Sequence, residues 1–235
     1  MSILDRFLED SANEKEIYDF LRTLSNIEVN GNRLYDGSGT HFMQNPMEFT
    51  RLLCLLKYVR QNKLINFEKF LEFGWSAGIS HTILYKFLCP LESVAVDFVL
   101  PSGISTNTFF ANLRFKNLTF IANDSTSKFT HDKVNSLGPF DFIFIDGGHD
   151  YSTVKSDFDL ALSVSSLNSI IALHDIHSVK PVEVSRLWKE IVESNDYETL
   201  EIFDNSSKIK YGIGIINLNR NGLLTEFQQN CKLNL

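Results

Sequence analysis

Cysteine is scarce in this chain of 235 residues. Cys54, Cys89 and Cys231 make an odd total, are widely spaced and form no CxxC pair. That pattern excludes a disulfide frame and a cysteine zinc site, and it fits a reducing compartment. Long apolar runs are missing too. The stretch "LLCLLKYV" is broken by Lys57, so nothing approaches the length that crosses a bilayer. The first residues, "MSILDRFLEDSANEKE", are too acidic for a signal peptide, and a cytoplasmic location is the expectation. There is no basic patch. The net charge is -7, and an acidic surface repels phosphate backbones, which disfavours a nucleic-acid partner. The densest basic group, Arg51, Lys57, Arg60 and Lys63, reads as the solvated face of one helix. Cys54 and Cys89 fall in apolar helical stretches and read as small buried hydrophobes.

What is present is an ordinary globular balance, 43% hydrophobic and 22% charged, with room for one α/β domain. Residues 14–24 carry Ile17, Phe20, Leu21 and Leu24 at one-face helical spacing. Residues 26–45 look irregular. "QNPMEF" then announces a second helix, with Asn45 as cap and Pro46 at the first helical position. Phe49, Leu52, Leu53, Leu56 and Val59 follow on one face. Residues 1–64 read as cover helices and a substrate-side segment, packed on a main domain over 65–235.

From residue 67 short apolar runs alternate with helical stretches. The runs are 67–73, 93–97, 118–124, 140–148 and 169–175. Ile83, Leu84, Phe87 and Leu88 share a helix face, as do Val154, Phe158, Ala161 and Leu162, and Val184, Leu187, Trp188 and Ile191. Continuous apolar strands alternating with helices predict a parallel sheet covered on both faces. At the end, "ETLEIF" and "YGIGIINL" have no helix between them and predict an antiparallel pair. The expected fold is α/β, a doubly wound, mostly parallel seven-stranded sheet.

The strand ends carry the chemistry. In an open parallel sheet, ligands bind beyond the carboxyl ends of the strands. Here those ends hold Glu72, Asp97, Asp124, Asp146 and Asp175. Five like charges at one edge repel unless a cation or a ligand's donors repay the cost. In "FLEFGWSAGIS", Gly74 permits a sharp turn, and Gly78 lets the next helix approach a ligand with no side chain between. The Glu-x-Gly-x-x-x-Gly spacing differs from the Gly-x-Gly-x-x-Gly of dinucleotide binders. An acid at position 72 repels a pyrophosphate and suits an amine or sulfonium ligand.

Residues 67–175 resemble an S-adenosylmethionine-dependent methyltransferase of the Rossmann-like class. "FLEFGWSAGIS" is similar to the motif that wraps the methionine part of the cofactor, which implies cofactor contacts from Glu72, Gly74, Trp75, Gly78 and Ser80. "VAVD" resembles the second strand, making Asp97 the candidate for the ribose hydroxyls. "IANDS" resembles the adenine-reading segment, with Asp124 and Ser125. Asp-Gly-x-His-x-Tyr after the fourth strand, then His-Asp ending the fifth, resembles metal-dependent sugar O-methyltransferases and the cephalosporin-hydroxylase-like group. "QNPMEF" resembles the helix start seen there.

That resemblance implies a divalent cation, magnesium or manganese, that lowers the pKa of the acceptor hydroxyl, with a small, sugar-like acceptor. Asp146 and Asp175 stand where carboxylate ligands are expected, and Asp146 also borders the cofactor. The adjoining position, an acid or amide in related enzymes, is His174 here, so the third ligand is left open. A histidine ligand shifts the choice toward manganese, iron or zinc. His149 is the candidate base, with Asp146 beside it; equally, His149 holds the "DGGHDY" loop by a hydrogen bond. Trp75 flanks the cofactor or packs inside, and Tyr151 caps the site or packs on its helix. His177 reads as a surface residue ahead of a substrate contact, His81 and His131 as structural or exposed, and Asp157 and Asp159 as a solvated face. The acceptor pocket is expected from 26–45, 98–112 and the loop after Asp175. Homo-oligomers are common in such families, though no feature specifies one. Three other readings stay open: a metal-independent methyltransferase using His149 or Asp146, a nicotinamide oxidoreductase, and a non-catalytic binding module.

Overall fold

The computed structural model describes residues 12–24, 42–76, 78–98, 115, 117–177, 183–207 and 211–231. Its sheet has the order β3-β2-β1-β4-β5-β7-β6. The strands are β1 Lys69–Phe73, β2 Glu92–Asp97, β3 Leu118–Ala122, β4 Phe140–Ile145, β5 Ser165–His174, β6 Glu198–Ile202 and β7 Ile213–Asn217. Strands β1 to β5 run parallel, while β7 pairs antiparallel with both β5 and β6. The expected antiparallel pair is therefore there, with β7 inserted between β5 and β6. The order reverses between β1 and β4, and this is the switch point where such sheets bind ligands.

Alternation along the strands divides the core. Phe70, Phe142, Phe144, Ile170, Ala172 and Ile215 pack on one face with helices α1 (Glu14–Leu24), α2 (Pro46–Gln61), α3 (Ile79–Leu88) and α7 (Leu223–Cys231). Leu71, Phe73, Ile143, Ile145, Ile171, Leu173 and Ile216 face the other way. They meet α4 (Lys128–Leu137), α5 (Tyr151–Ser163) and α6 (Val184–Ser194). Neighbouring strand residues thus enter opposite layers, and both layers are apolar. Helix α4 was not evident in the apolar pattern because it buries only Thr130 and Val134.

Asn45 caps α2, its side chain accepting from Met47 N at 2.8 Å and Glu48 N at 3.3 Å. The basic face of α2 differs from the expectation. Arg51 and Lys57 are half-buried and donate to the carbonyls of Phe203 (2.8 Å) and Ala12 (2.9 Å). Arg60 donates to Phe87 O. These long side chains lay their stems on apolar surface and tie neighbouring segments together. Cys89 also departs from its reading: it is exposed, in the left-handed cap after α3, and Cys54 is half-buried. Among the described residues no helix is long and apolar enough to cross a membrane. The expected acceptor segments 26–45 and 98–112 lie outside the described residues except for 42–45 and 98.

Candidate active site

All five predicted acids stand at or beside the carboxyl ends of β1 to β5. The loop leaving β1 turns through left-handed backbone at Gly74 (φ 92°), Ser76 (φ 46°) and Gly78 (φ 72°). Gly74 N donates to Val96 O at 2.9 Å and Asp146 N to Phe73 O at 2.8 Å, so the ends of β1, β2 and β4 are stitched together. A Cβ on Gly74 would lie 1.9 Å from the Asp146 carbonyl oxygen. Asp97 ends β2, half-buried, and its Oδ2 accepts from Ser76 N at 2.8 Å. That bond fastens the turn to the acid expected to hold a ribose.

Part of the first motif faces inward instead. A Cβ on Gly78 would lie 2.5 Å from the Trp75 ring, so the space above this glycine is filled by an indole, not held open for a ligand. Trp75 is 1% exposed and packs edge-on against Phe115 and Phe120, in line with the packing alternative of its reading. Glu72 is fully buried, accepting from Ser80 Oγ at 2.6 Å and bonded to His81 Nδ1 at 2.8 Å. His81 Nε2 reaches Ser93 Oγ at 3.2 Å. Burial pushes Glu72 well above the carboxylate range and lowers His81 to about 3. Desolvation penalises both charged forms. Glu72 is thus enclosed by Ser80 and His81, with the Ser80 hydroxyl donating to it.

The ends of β4 and β5 converge. His174 Nδ1 donates to Asp146 Oδ1 at 2.9 Å and lies 3.6 Å from Asp175 Oδ2. His149 Nε2 lies 2.7 Å from Asp175 Oδ2. Gln44, from the start of α2, donates Nε2 to Asp146 Oδ2 at 2.7 Å. Burial opposes charge on His174, but the Asp146 and Asp175 carboxylates outweigh it and raise its pKa well above the ordinary value. Burial likewise opposes charge on Asp175, yet the His174 charge and the His149 hydrogen bond hold it below the carboxylate range. The Asp175 hydrogen bond raises His149. Asp175 sits in the left-handed region at φ 65°, a conformation that costs a non-glycine residue of order 1 kcal/mol and persists only where surroundings impose it.

Ligand atoms of Asp146, His149 and Asp175 all lie within 4.8 Å of one another. Asp175 Oδ1 is a buried oxygen with no hydrogen-bond partner. A carboxylate oxygen left bare beside a second carboxylate fits a divalent cation. His174, expected among the ligands, has its Nδ1 engaged as the hydrogen-bond partner of Asp146 and is not in this converging set.

Asp124, exposed beyond β3, accepts from Thr126 N and Oγ, both at 2.8 Å. These bonds hold its pKa below the usual range and shape the turn into α4. Asp157 corrects the solvated-face reading: it is fully buried on α5, with one carboxylate oxygen 3.4 Å from where a Cβ on Gly147 would stand. Its oxygens lack partners of hydrogen-bond geometry, and only the nearby Ser125 hydroxyl offsets burial. Burial, with Asp124 and Asp150 adding repulsion, raises Asp157 from 3.8 to about 7. Folding then favours the proton that the unfolded chain releases near pH 4. Stability from this group is full below pH 4 and lost as pH rises to about 7, a difference of at most roughly 4 kcal/mol. The prediction is that Asp157→Asn is more stable relative to wild type at pH 8 than at pH 5, by urea denaturation. An equal difference at both pH values contradicts it.

His81 is structural, as described, and His131 is half-buried with Ser156 Oγ 3.2 Å from its Nε2. His177 is half-buried, not free on the surface, with Nε2 3.2 Å from Glu201. Tyr151 leans outward, its hydroxyl donating to Glu190 at 2.5 Å and its ring under the Arg186 guanidinium at 3.9 Å. Gln44 was missed. A lone amide before a helix cap gives no sign of a partner 102 residues away.

Residues 71–176 match a family model described as a methyltransferase domain. The match runs from β1 to just past β5 and contains every strand-end acid. No curated protein matches the chain. Among solved structures, cofactor-bound Rv0187 from MTB is similar at TM-score 0.60 and 16% identity, covering 89% of this chain and 99% of its own. The O-methyltransferase from Bacillus cereus in complex with SAH follows at 0.56 and 17%, covering 84% and 99%. An rRNA methylase from Streptococcus thermophilus reaches 0.53 and 10%, covering 75% and 98%. Such identities speak for the fold, and the fold serves several acceptors. Residues 71–176 are thus similar to a methyltransferase domain, and the chain shares the fold of these solved structures.

Proposed function

We propose that this protein is an S-adenosylmethionine-dependent O-methyltransferase assisted by a divalent cation, acting on a hydroxyl of a sugar or glycan precursor. The observation that carries it is the convergence of Asp146, His149 and Asp175 at the carboxyl ends of β4 and β5. The cofactor supplies an activated methyl group, and a divalent cation supplies the charge that makes an acceptor hydroxyl easier to deprotonate. Asp97, with Asp124 and Ser125 across the edge, would hold the nucleoside part, and the Gly74 turn the methionine part. Asp146 and Asp175 would hold the cation. His149 would take the proton: when its Nε2–H donates to Asp175, the lone pair is on Nδ1, and its side chain is 44% exposed toward an acceptor. The Asp175 hydrogen bond orients the ring and stabilises the imidazolium that forms. The sugar acceptor rests on the Asp-Gly-x-His-x-Tyr and His-Asp pattern, and the net charge of -7 speaks against an RNA acceptor.

A second reading drops the cation. It is favoured by the His149–Asp175 pair, which at 2.7 Å is already an oriented base. One experiment separates the two: methyl transfer from labelled cofactor to nucleotide sugars bearing vicinal diols, before and after chelation. The cation reading predicts at least a tenfold loss on chelation and recovery with magnesium or manganese. Activity unmoved by chelation supports the second, and transfer to no sugar contradicts the acceptor class.

A further inference from the structure

We infer that Gln44, which lies outside the matched methyltransferase segment, is the third protein ligand of the cation site, its carbonyl oxygen completing an all-oxygen set with Asp146 and Asp175. The inference rests on the cation reading above. Gln44 is 3% exposed, its Nε2 is 2.7 Å from Asp146 Oδ2, and its Oε1 is a buried acceptor with no partner. An unpaired buried carbonyl is unfavourable, and this one belongs to an amide already in contact with the Asp146 carboxylate. Asp175 Oδ1 is the second bare oxygen of the group. Gln44 bonds Asp146 directly and Asp175 has a ligand atom within 4.8 Å of one of Asp146, so both bare acceptors belong to residues of one acidic cluster.

The amide cannot drift away. Asn45, next in the chain, caps α2 and donates to Asp204 Oδ2 at 3.4 Å. One turn on, Glu48 is fully buried and accepts from Asp204 N and Gly212 N, both at 3.0 Å. The start of α2 is thereby pinned to the segments that end β6 and precede β7, which fixes residue 44 over the edge. His174 spends its Nδ1–H on Asp146 and keeps a buried Nε2 with no partner, but its ring nitrogens are not in the converging set. A set of two carboxylates and one amide oxygen suits magnesium or manganese, which prefer oxygen and retain several waters.

The test is manganese binding by electron paramagnetic resonance, with S-adenosylhomocysteine affinity measured on the same samples. Gln44→Met keeps the length and removes the oxygen. It should weaken manganese binding about 10–100-fold and leave the nucleoside affinity within about twofold. Gln44→Glu should bind manganese more tightly than wild type, and it decides the matter if Gln44→Met does not fold. Wild-type manganese affinity in Gln44→Met, or weaker binding in Gln44→Glu, overturns the assignment. Wild-type protein that binds S-adenosylhomocysteine but no manganese overturns the cation site and leaves the cofactor reading standing. Failure to bind S-adenosylhomocysteine strikes the function itself.

Discussion

Gly74→Ala is expected to cost about 3 kcal/mol or more and to empty the site of its geometry. The added Cβ would stand 1.9 Å from Asp146 O and 2.5 Å from Asp146 C, both backbone atoms. Neither can retreat without breaking the bond from Asp146 N to Phe73 O or that from Gly74 N to Val96 O. The φ of 92° is itself strained for any side chain. Gly222 supplies the control: it too has positive φ (79°), but nothing lies within 4 Å of its added Cβ. Gly222→Ala should cost only about 1 kcal/mol. Urea midpoints at unchanged slope measure both. A Gly74→Ala protein within about 1 kcal/mol of wild type would contradict the close approach of the β1 and β4 loops.

Asp146→Asn is expected to fold and to lose transfer by roughly a thousandfold or more. Both Asp146 oxygens accept, one from His174 at 2.9 Å and one from Gln44 at 2.7 Å. An asparagine must aim its amino group at one of these donors. Gln44 can turn its amide over and accept instead, so the hydrogen bonds survive while the charge is lost. His174 then loses one of the two carboxylates that hold its proton. Removing this half-buried carboxylate also removes one of the two charges proposed to hold the cation, in an electrostatic site worth several kcal/mol in the transition state. The checks are thermal unfolding and transfer rate side by side. Near wild-type transfer in a folded Asp146→Asn protein would exclude Asp146 from the chemistry.

The sheet and its acidic edge could be read from the sequence because both follow from local patterns. Phe142, Phe144 and their neighbours form unbroken apolar runs, and each run ends on an acid that chain direction alone delivers to one edge. What was illegible depends on where side chains turn in three dimensions. Nothing in "FLEFGWSAGIS" says that Trp75 folds over Gly78, or that Glu72 meets His81 across the strand–helix turn. Asp157 was legible and misread: it stands three residues after Val154 and next to Phe158, on the very face that packs inward. Its neighbour in kind, Asp159, is exposed and pairs with Lys155. The Gln44–Asp146 contact had no local signal, because it is made by docking α2 on the sheet.

The central claim is that this strand-end edge holds S-adenosylmethionine, and titration calorimetry tests it most directly. Metal-stripped protein is titrated with the cofactor, alone and with manganese, beside Asp97→Ala. The account predicts micromolar binding that Asp97→Ala abolishes, because Asp97 anchors the Ser76 turn and is the residue proposed to hold the ribose. Absence of binding in every condition would contradict it and assign the row of carboxylates to another ligand.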